Sequence, residues 1–222
     1  MSFTGKSVNC KFMERIRNIG TLDTVGGNLC CDFINTVYAW RGENLHEYFG
    51  SYNDFIAWCR KLRVSDNNYL DILEKVSGQD ISKTGVALKR IKEIRALLYR
   101  FIAAIAAQEK DEITLLLPQV NTLLANSLSH INFRLEYNRF ILDYEKEPVD
   151  LLSPLWQVLQ SLYVLLDKAD LTRVKECPRC GWVFLDQTKN GKRRWCDPAE
   201  CGTADKMKRY YIRKKEDKDQ DN

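Results

Sequence analysis

Apolar residues recur at three- and four-residue intervals along most of the chain, a spacing that predicts a mainly helical body. After the turn signal Gly26-Gly27, the positions Leu29, Phe33, Ile34 and Val37 open a first helix. Ser51-Tyr52-Asn53-Asp54 has the form of a helix start, with Ser51 at the cap and Asp54 at the third helical position. Phe55, Ile56, Trp58, Cys59 and Leu62 then make one apolar face. A short helix over 67–76 and a loop over 77–80 lead into a long helix over 82–107, with Leu88, Ile91, Ile94, Arg95, Leu98, Ile102 and Ile105 along one side. Residues 112–127 form another, kinked or restarted at Pro118. The period then falls to two. Ile131, Phe133 and Leu135 alternate with polar residues, as do Phe140, Leu142 and Tyr144. The short connection Tyr137-Asn138-Arg139 makes this a β-hairpin. Residues 148–167 return to helical spacing, with Leu151, Leu152, Leu155, Trp156, Leu159, Leu162, Leu165 and Leu166. Residues 1–20 show no such pattern and read as irregular.

Beyond residue 170 the pattern gives way to cysteines. Cys177, Cys180, Cys196 and Cys201 follow C-x2-C-x15-C-x4-C. Two residues between ligands let two sulfurs converge on one point, and four thiolates satisfy a tetrahedral zinc ion. Gly181 lets the backbone turn behind the first pair. Trp182-Val183-Phe184-Leu185 reads as a strand, and Asn190-Gly191 as a hairpin turn that returns Lys192-Arg193-Arg194-Trp195 to Cys196. A basic helix from Thr203 to Lys215 follows. Knuckle, hairpin and helix describe a treble-clef-like finger with four cysteine ligands. With all four positions filled by sulfur, no site stays open for water, so one Zn2+ is expected as a structural ion that contributes to folding.

Charge sharpens this picture. The net charge of +4 is unevenly spread: thirteen basic residues stand against five acidic ones between Thr172 and Lys215. A localised basic module is the footprint of a polyanion binder. Charged residues make up 29% of the chain and apolar ones 45%, as in an ordinary globular protein. No apolar run is long enough for a membrane span, and the first residues lack a leader pattern, so a cytoplasmic location without membrane contact is expected. In that reducing setting the eight cysteines read as thiols or metal ligands.

The run from Cys177-Pro178-Arg179-Cys180-Gly181 to Lys192-Arg193-Arg194-Trp195-Cys196 and Cys201-Gly202 resembles the CGNR-type zinc finger of bacterial stress-induced transcription regulators. Gly26-Gly27-Asn28-Leu29-Cys30-Cys31-Asp32-Phe33-Ile34-Asn35-Thr36 resembles the start of their N-terminal ABATE domain, and Trp58 stands about where that domain carries a tryptophan. The resemblance implies a helical domain with a small sheet, followed by a finger that binds DNA. The chain departs from the naming motif after Cys201-Gly202, where Thr203 and Ala204 replace Asn and Arg. Thr203 can cap the following helix. Ala204 cannot replace an arginine.

The expected organisation is α+β, mainly α: an ABATE-like domain over 1–170, a zinc finger over 171–215 and a disordered acidic tail over 216–222. The leading function is a DNA-binding regulator that contacts phosphates through Lys189, Lys192, Arg193, Arg194, Lys206, Lys208, Arg209 and Arg213. RNA is a close variant. A second reading makes the body a sensor, with Asp32, Asn35, Thr36 and Arg41 lining a small-molecule pocket; the plainer alternative is that these groups satisfy the fold's own polar atoms. A third has leucine-rich stretches such as Leu115-Leu116-Leu117 and Leu162-Tyr163-Val164-Leu165-Leu166 form a homodimer or scaffold. His46 and His130 are the two histidines and lie in no catalytic motif, so no enzyme is expected.

Overall fold

The structure, a computed structural model, describes residues 18–41 and 45–220, with backbone alone for 215–220. Cys10 and most of the stretch read as irregular lie outside that range, as do the last two residues of the tail. Helices dominate, with three two-stranded antiparallel sheets among the described residues.

Helix α1 (Leu29–Ile34) starts at Asn28, whose side-chain oxygen accepts from the Cys30 amide at 2.9 Å. It ends sooner than its apolar spacing predicts. The Thr36 hydroxyl donates to the Phe33 carbonyl at 2.7 Å, competing for an acceptor that a continuing helix would need. Val37 therefore leaves the helix and enters β1 (Val37–Tyr38), paired with β2 (His46–Glu47). Helix α2 (Tyr52–Leu62) has the expected capping box: the Asp54 amide donates to Ser51 Oγ at 3.3 Å and the Ser51 amide to the Asp54 carboxylate at 2.7 Å. Helix α3 (Asn67–Gln79) runs through the expected loop. Asp80 alone separates it from α4 (Ile81–Ala107), which it caps by accepting from the Lys83 amide at 2.9 Å. Helix α5 (Lys110–Ser129) passes through Pro118 unbroken. Pro118 and Thr114 are both exposed, so the carbonyl left without an N–H partner faces water.

The hairpin forms as expected, from β3 (Ile131–Glu136) and β4 (Arg139–Tyr144). Its turn is tighter than the sequence suggests. Tyr137 and Asn138 alone close it, with φ of +45° and +61°, and Arg139 is already paired with Glu136. Helix α6 (Pro154–Lys168) begins at Pro154 rather than Pro148, with Pro154 in the first helical turn. Strands β5 (Val174–Glu176) and β6 (Val183–Leu185) and helix α7 (Thr203–Gln220) complete the chain. Two expectations fail here. β6 pairs with β5, upstream of the first cysteine, and not with residues 192–195. The Lys175 ammonium holds that returning segment instead, donating to the carbonyls of Gly191 at 2.5 Å and Arg193 at 2.9 Å. The backbone of 216–220 continues α7, where the charge run predicts disorder.

Helix α4 is the spine. α5 and α1 pack on it, α6 packs on both of these, and β5 and β6 lie against α4 as well. One apolar core runs from Leu22 through Phe33, Trp58 and Leu98 to Val183, Phe184 and the four cysteines. The finger thus begins near residue 171 along the chain but shares its core with the body. The leucine-rich runs face both ways: Leu116, Leu162 and Leu165 are buried, while Leu115, Leu117, Tyr163 and Val164 stay exposed. Among the described residues no helix is long and apolar enough to cross a membrane.

Candidate functional site

Local turns bring the four cysteines together. The Gly181 amide donates to the Cys177 carbonyl at 2.9 Å and the Cys177 amide to the Trp182 carbonyl at 2.8 Å, closing the first knuckle. Asp197 closes the second, accepting from the amides of Ala199 and Glu200 at the start of a π-turn over Pro198–Gly202. The four sulfurs are buried and lie within 4.8 Å of one another. Cys180 to Cys196 is 3.5 Å, Cys196 to Cys201 is 3.6 Å and Cys201 to Cys180 is 3.8 Å. A tetrahedron with metal–sulfur bonds of about 2.3 Å has edges of about 3.8 Å, so the set fits one zinc ion; a disulfide would need about 2.05 Å. Four thiolates around Zn2+ leave a net charge near −2, and Arg179 Nη1 stands 4.0 Å from Cys201 Sγ. The zinc is structural, because sulfur occupies every position.

The finger is fastened to the body by backbone contacts that small or amide side chains permit. Gly27, at φ +68°, lies against the Leu185 carbonyl, which a Cβ would meet at 2.8 Å. Gly181, at φ +77°, lies against Trp40 and Arg41. The Leu185 amide donates to Gly26 O at 2.8 Å and the Arg41 amide to Cys180 O at 3.3 Å. Asn35 supplies the most specific link. Its amide nitrogen donates to Val183 O at 2.9 Å and its oxygen accepts from Val183 N at 3.0 Å. Asn35 and Gly26 together cover the outer edge of β6 as a neighbouring strand would. The Trp182 indole adds a bond to Val37 O at 2.7 Å. Replacing Asn35 by Ala would leave two buried backbone groups unpaired, so Asn35→Ala is expected to cost about 2–4 kcal/mol. Urea unfolding measures this, and an unchanged midpoint would refute the clamp.

The residues read as a pocket are brought together, but each holds part of this junction. Thr36 receives the Arg95 guanidinium at 2.9 Å, and Arg95 also pairs with Glu47. Arg41 pairs with Glu176 at 2.6 Å, where Tyr99 donates to the same carboxylate at 2.8 Å. Burial pushes the Glu176 carboxyl up, against the pull of Tyr99 and Arg41. Asp32 accepts from the Gly26 amide at 2.8 Å. Burial raises its pKa to about 6, only partly offset by that bond. Asp32 and Asn35 bond to backbone groups of the fold, and Arg41 bonds to Glu176.

The basic residues divide into two groups. Lys189, Lys192 and Arg194 are exposed on the loop between the two cysteine pairs, and Lys206, Lys208, Arg209 and Arg213 are exposed on α7. Lys206, Arg209 and Arg213 share one helix face with Tyr210, whereas Lys208 projects from the other side. Arg209 pairs with Asp205 at 2.9 Å, and Arg194 lies over the Trp195 ring at 4.9 Å. Arg193 does not belong with them. It stacks on the Phe184 ring at 4.4 Å and donates to Trp195 O and Val25 O at 3.0 Å each, and to Cys196 O. Its Nε and Nη2 donors are spent inside the protein, where they tie the finger loop to the body.

Sequence reasoning gives no role to Asp186. It is fully buried and accepts from Lys175 Nζ at 2.6 Å, the Thr188 amide and hydroxyl at 3.0 and 2.6 Å, and the Arg193 amide at 2.8 Å. Burial alone would raise its pKa, but these donors hold the carboxyl well below the usual carboxylate range. The one signal for it is a lone acid inside an otherwise basic stretch.

The model of the ABATE domain, described as a putative stress-induced transcription regulator, matches residues 27–168, and that of the CGNR zinc finger matches 173–214. The chain belongs to the ABATE family. Its finger is a CGNR finger in which Thr203 and Ala204 follow Cys201-Gly202. Thr203 is the first residue of α7 and already helical, with φ of −64° and ψ of −45°, so it is not the cap; Asp197 caps the π-turn that precedes it. A search of the curated proteins finds no match to this ABATE chain.

Proposed function

We propose that this ABATE protein is a DNA-binding transcription regulator, in which the zinc site mounts α7 on the body as the DNA-contacting element. One observation carries this reading. Helix α7 continues directly from the turn that holds Cys201, and its first three turns present Lys206, Arg209 and Arg213 on one exposed face. An 18-residue helix is about 27 Å long and of a width that a major groove admits. The loop residues Lys189, Lys192 and Arg194 supply further phosphate contacts beside the same zinc site.

Such contacts release counterions, so affinity falls steeply with salt. Fluorescence anisotropy on duplex DNA is expected to show tight binding at low salt. The slope of log affinity against log salt should be about −3 to −6, one unit for each phosphate neutralised. Absence of binding at low salt, or binding without a slope, contradicts the reading. Preference for single-stranded RNA over duplex DNA would replace DNA by RNA as the target.

A further inference from the structure

We propose that the β3–β4 hairpin is a dimerisation arm, and that a second copy of this chain covers its apolar face. The register places Phe133 opposite Leu142 and Leu135 opposite Phe140. Opposed residues share a face, and residues two apart share it too, so these four form one two-by-two block. All four are uncovered: Phe133 is 64% exposed, Leu135 63%, Phe140 77% and Leu142 36%. Tyr137 stands fully exposed at the tip. An isolated hairpin is marginally stable in water, which makes its apolar face a surface that needs a partner.

The arm is rooted firmly. Tyr144, on the same face at the base, donates to Gln160 Oε1 and lies 6.3 Å from the Trp156 ring. His130, just before β3, stacks on Trp156 at 3.8 Å. The base of the face therefore joins α6, while the two outer rungs lie bare beyond it.

Three properties select a second copy as the occupant. The first is area. The five outer side chains expose roughly 600–700 Å² per copy, above the usual largest patch of a monomer and close to the 800 Å² per partner of a standard interface. The second is charge. The opposite face carries Arg134, Glu136, Arg139 and Asp143, which sum to zero, with Arg134 paired to Glu136 at 2.5 Å and to Asp143 at 3.4 Å. Two neutral arms approach without repulsion, and nothing on them would attract the polyanion that suits α7. The third is shape. Phe and Leu alternate along both strands and across both rungs, as on a checkerboard. A two-fold axis in the plane between two such faces, parallel or perpendicular to the strands, sets every Phe over a Leu of the other copy. Large residues facing small ones is the arrangement that packs without voids.

Sedimentation velocity on full-length, zinc-loaded protein at about 50 µM, well above a micromolar Kd, tests this without DNA. The wild type is expected to sediment as a dimer of 25.9 kDa chains. Phe133→Ser with Phe140→Ser should raise the dissociation constant at least ~100-fold, because such anchors dominate small interfaces, and should leave the thermal midpoint unchanged when both proteins are diluted until the wild type is itself a monomer. Phe140→Lys, which buries a charge at the seam, should do the same as a single change. A monomeric wild type at this concentration overturns the proposal and assigns the face to a different protein. A dimer that survives both variants overturns it too, by placing the interface elsewhere.

Discussion

Cys196→Ser is expected to yield a protein that holds no stoichiometric zinc and whose residues from Cys177 to Gly202 are unfolded. The binding energy of a structural zinc site with four cysteine ligands is folding energy, on the order of 10 kcal/mol in small fingers, and three thiolates retain little of it. The loss reaches past the finger, because Trp182, Val183 and Phe184 are buried among body residues. Exposing three such side chains costs about 1.5–3 kcal/mol each. At about 2–4 °C per kcal/mol for a chain of this size, the thermal midpoint should fall by roughly 10–35 °C. Calorimetry with a parallel metal assay checks both parts. A variant that keeps its midpoint would mean that the body does not depend on the finger.

Reversing the α7 stripe, with Lys206→Glu, Arg209→Glu and Arg213→Glu together, is expected to weaken duplex binding by about 100- to 1,000-fold at low salt. The salt slope should become less negative by about three units, one for each contact removed. Stability should hardly move. All three residues are exposed, and the Arg209–Asp205 pair is a surface i,i+4 bridge of the kind worth about 0.3–0.5 kcal/mol. Lys208→Glu is the informative contrast. It changes the same charge on the opposite side of the helix, and a loss of about 5-fold or less is expected from its weaker, longer-range effect. Equal losses from Lys208 and from any stripe residue would mean that α7 attracts DNA by net charge alone, with no face in contact.

Much of this architecture is legible in the sequence, for reasons that can be stated residue by residue. The capping box at Ser51 and Asp54, the period-two alternation of Ile131 to Tyr144 and the cysteine spacing are local signals, and local physics decides them. The features that sequence patterns miss depend on distant partners. Val37 leaves α1 because Thr36 turns the backbone, and the Trp182 indole, from the far end of the chain, donates to the Val37 carbonyl. β6 pairs upstream because the Lys175 ammonium, held by buried Asp186, occupies the place of the expected strand. In sequence, Arg193 looks like its neighbours Lys192 and Arg194. Only the fold shows that Val25 and Phe184 engage it. Asn35 has the same character: a polar residue late in a short helix gives no sign that it will pair with a strand edge 148 positions away.

Asn35 also locates the claim on which the rest depends, that the finger and the body fold as one unit and so present α7 in a fixed place. Hydrogen exchange on the intact chain, with zinc bound and after chelation, tests this most directly. With zinc, the amides of Val183 and Leu185 should be strongly protected, since Asn35 and Gly26 accept from them. After chelation, protection should fall together in β6, in the turn over 26–28 and in α1. Loss confined to residues beyond 174, with α1 and its preceding turn as protected as before, would contradict the account.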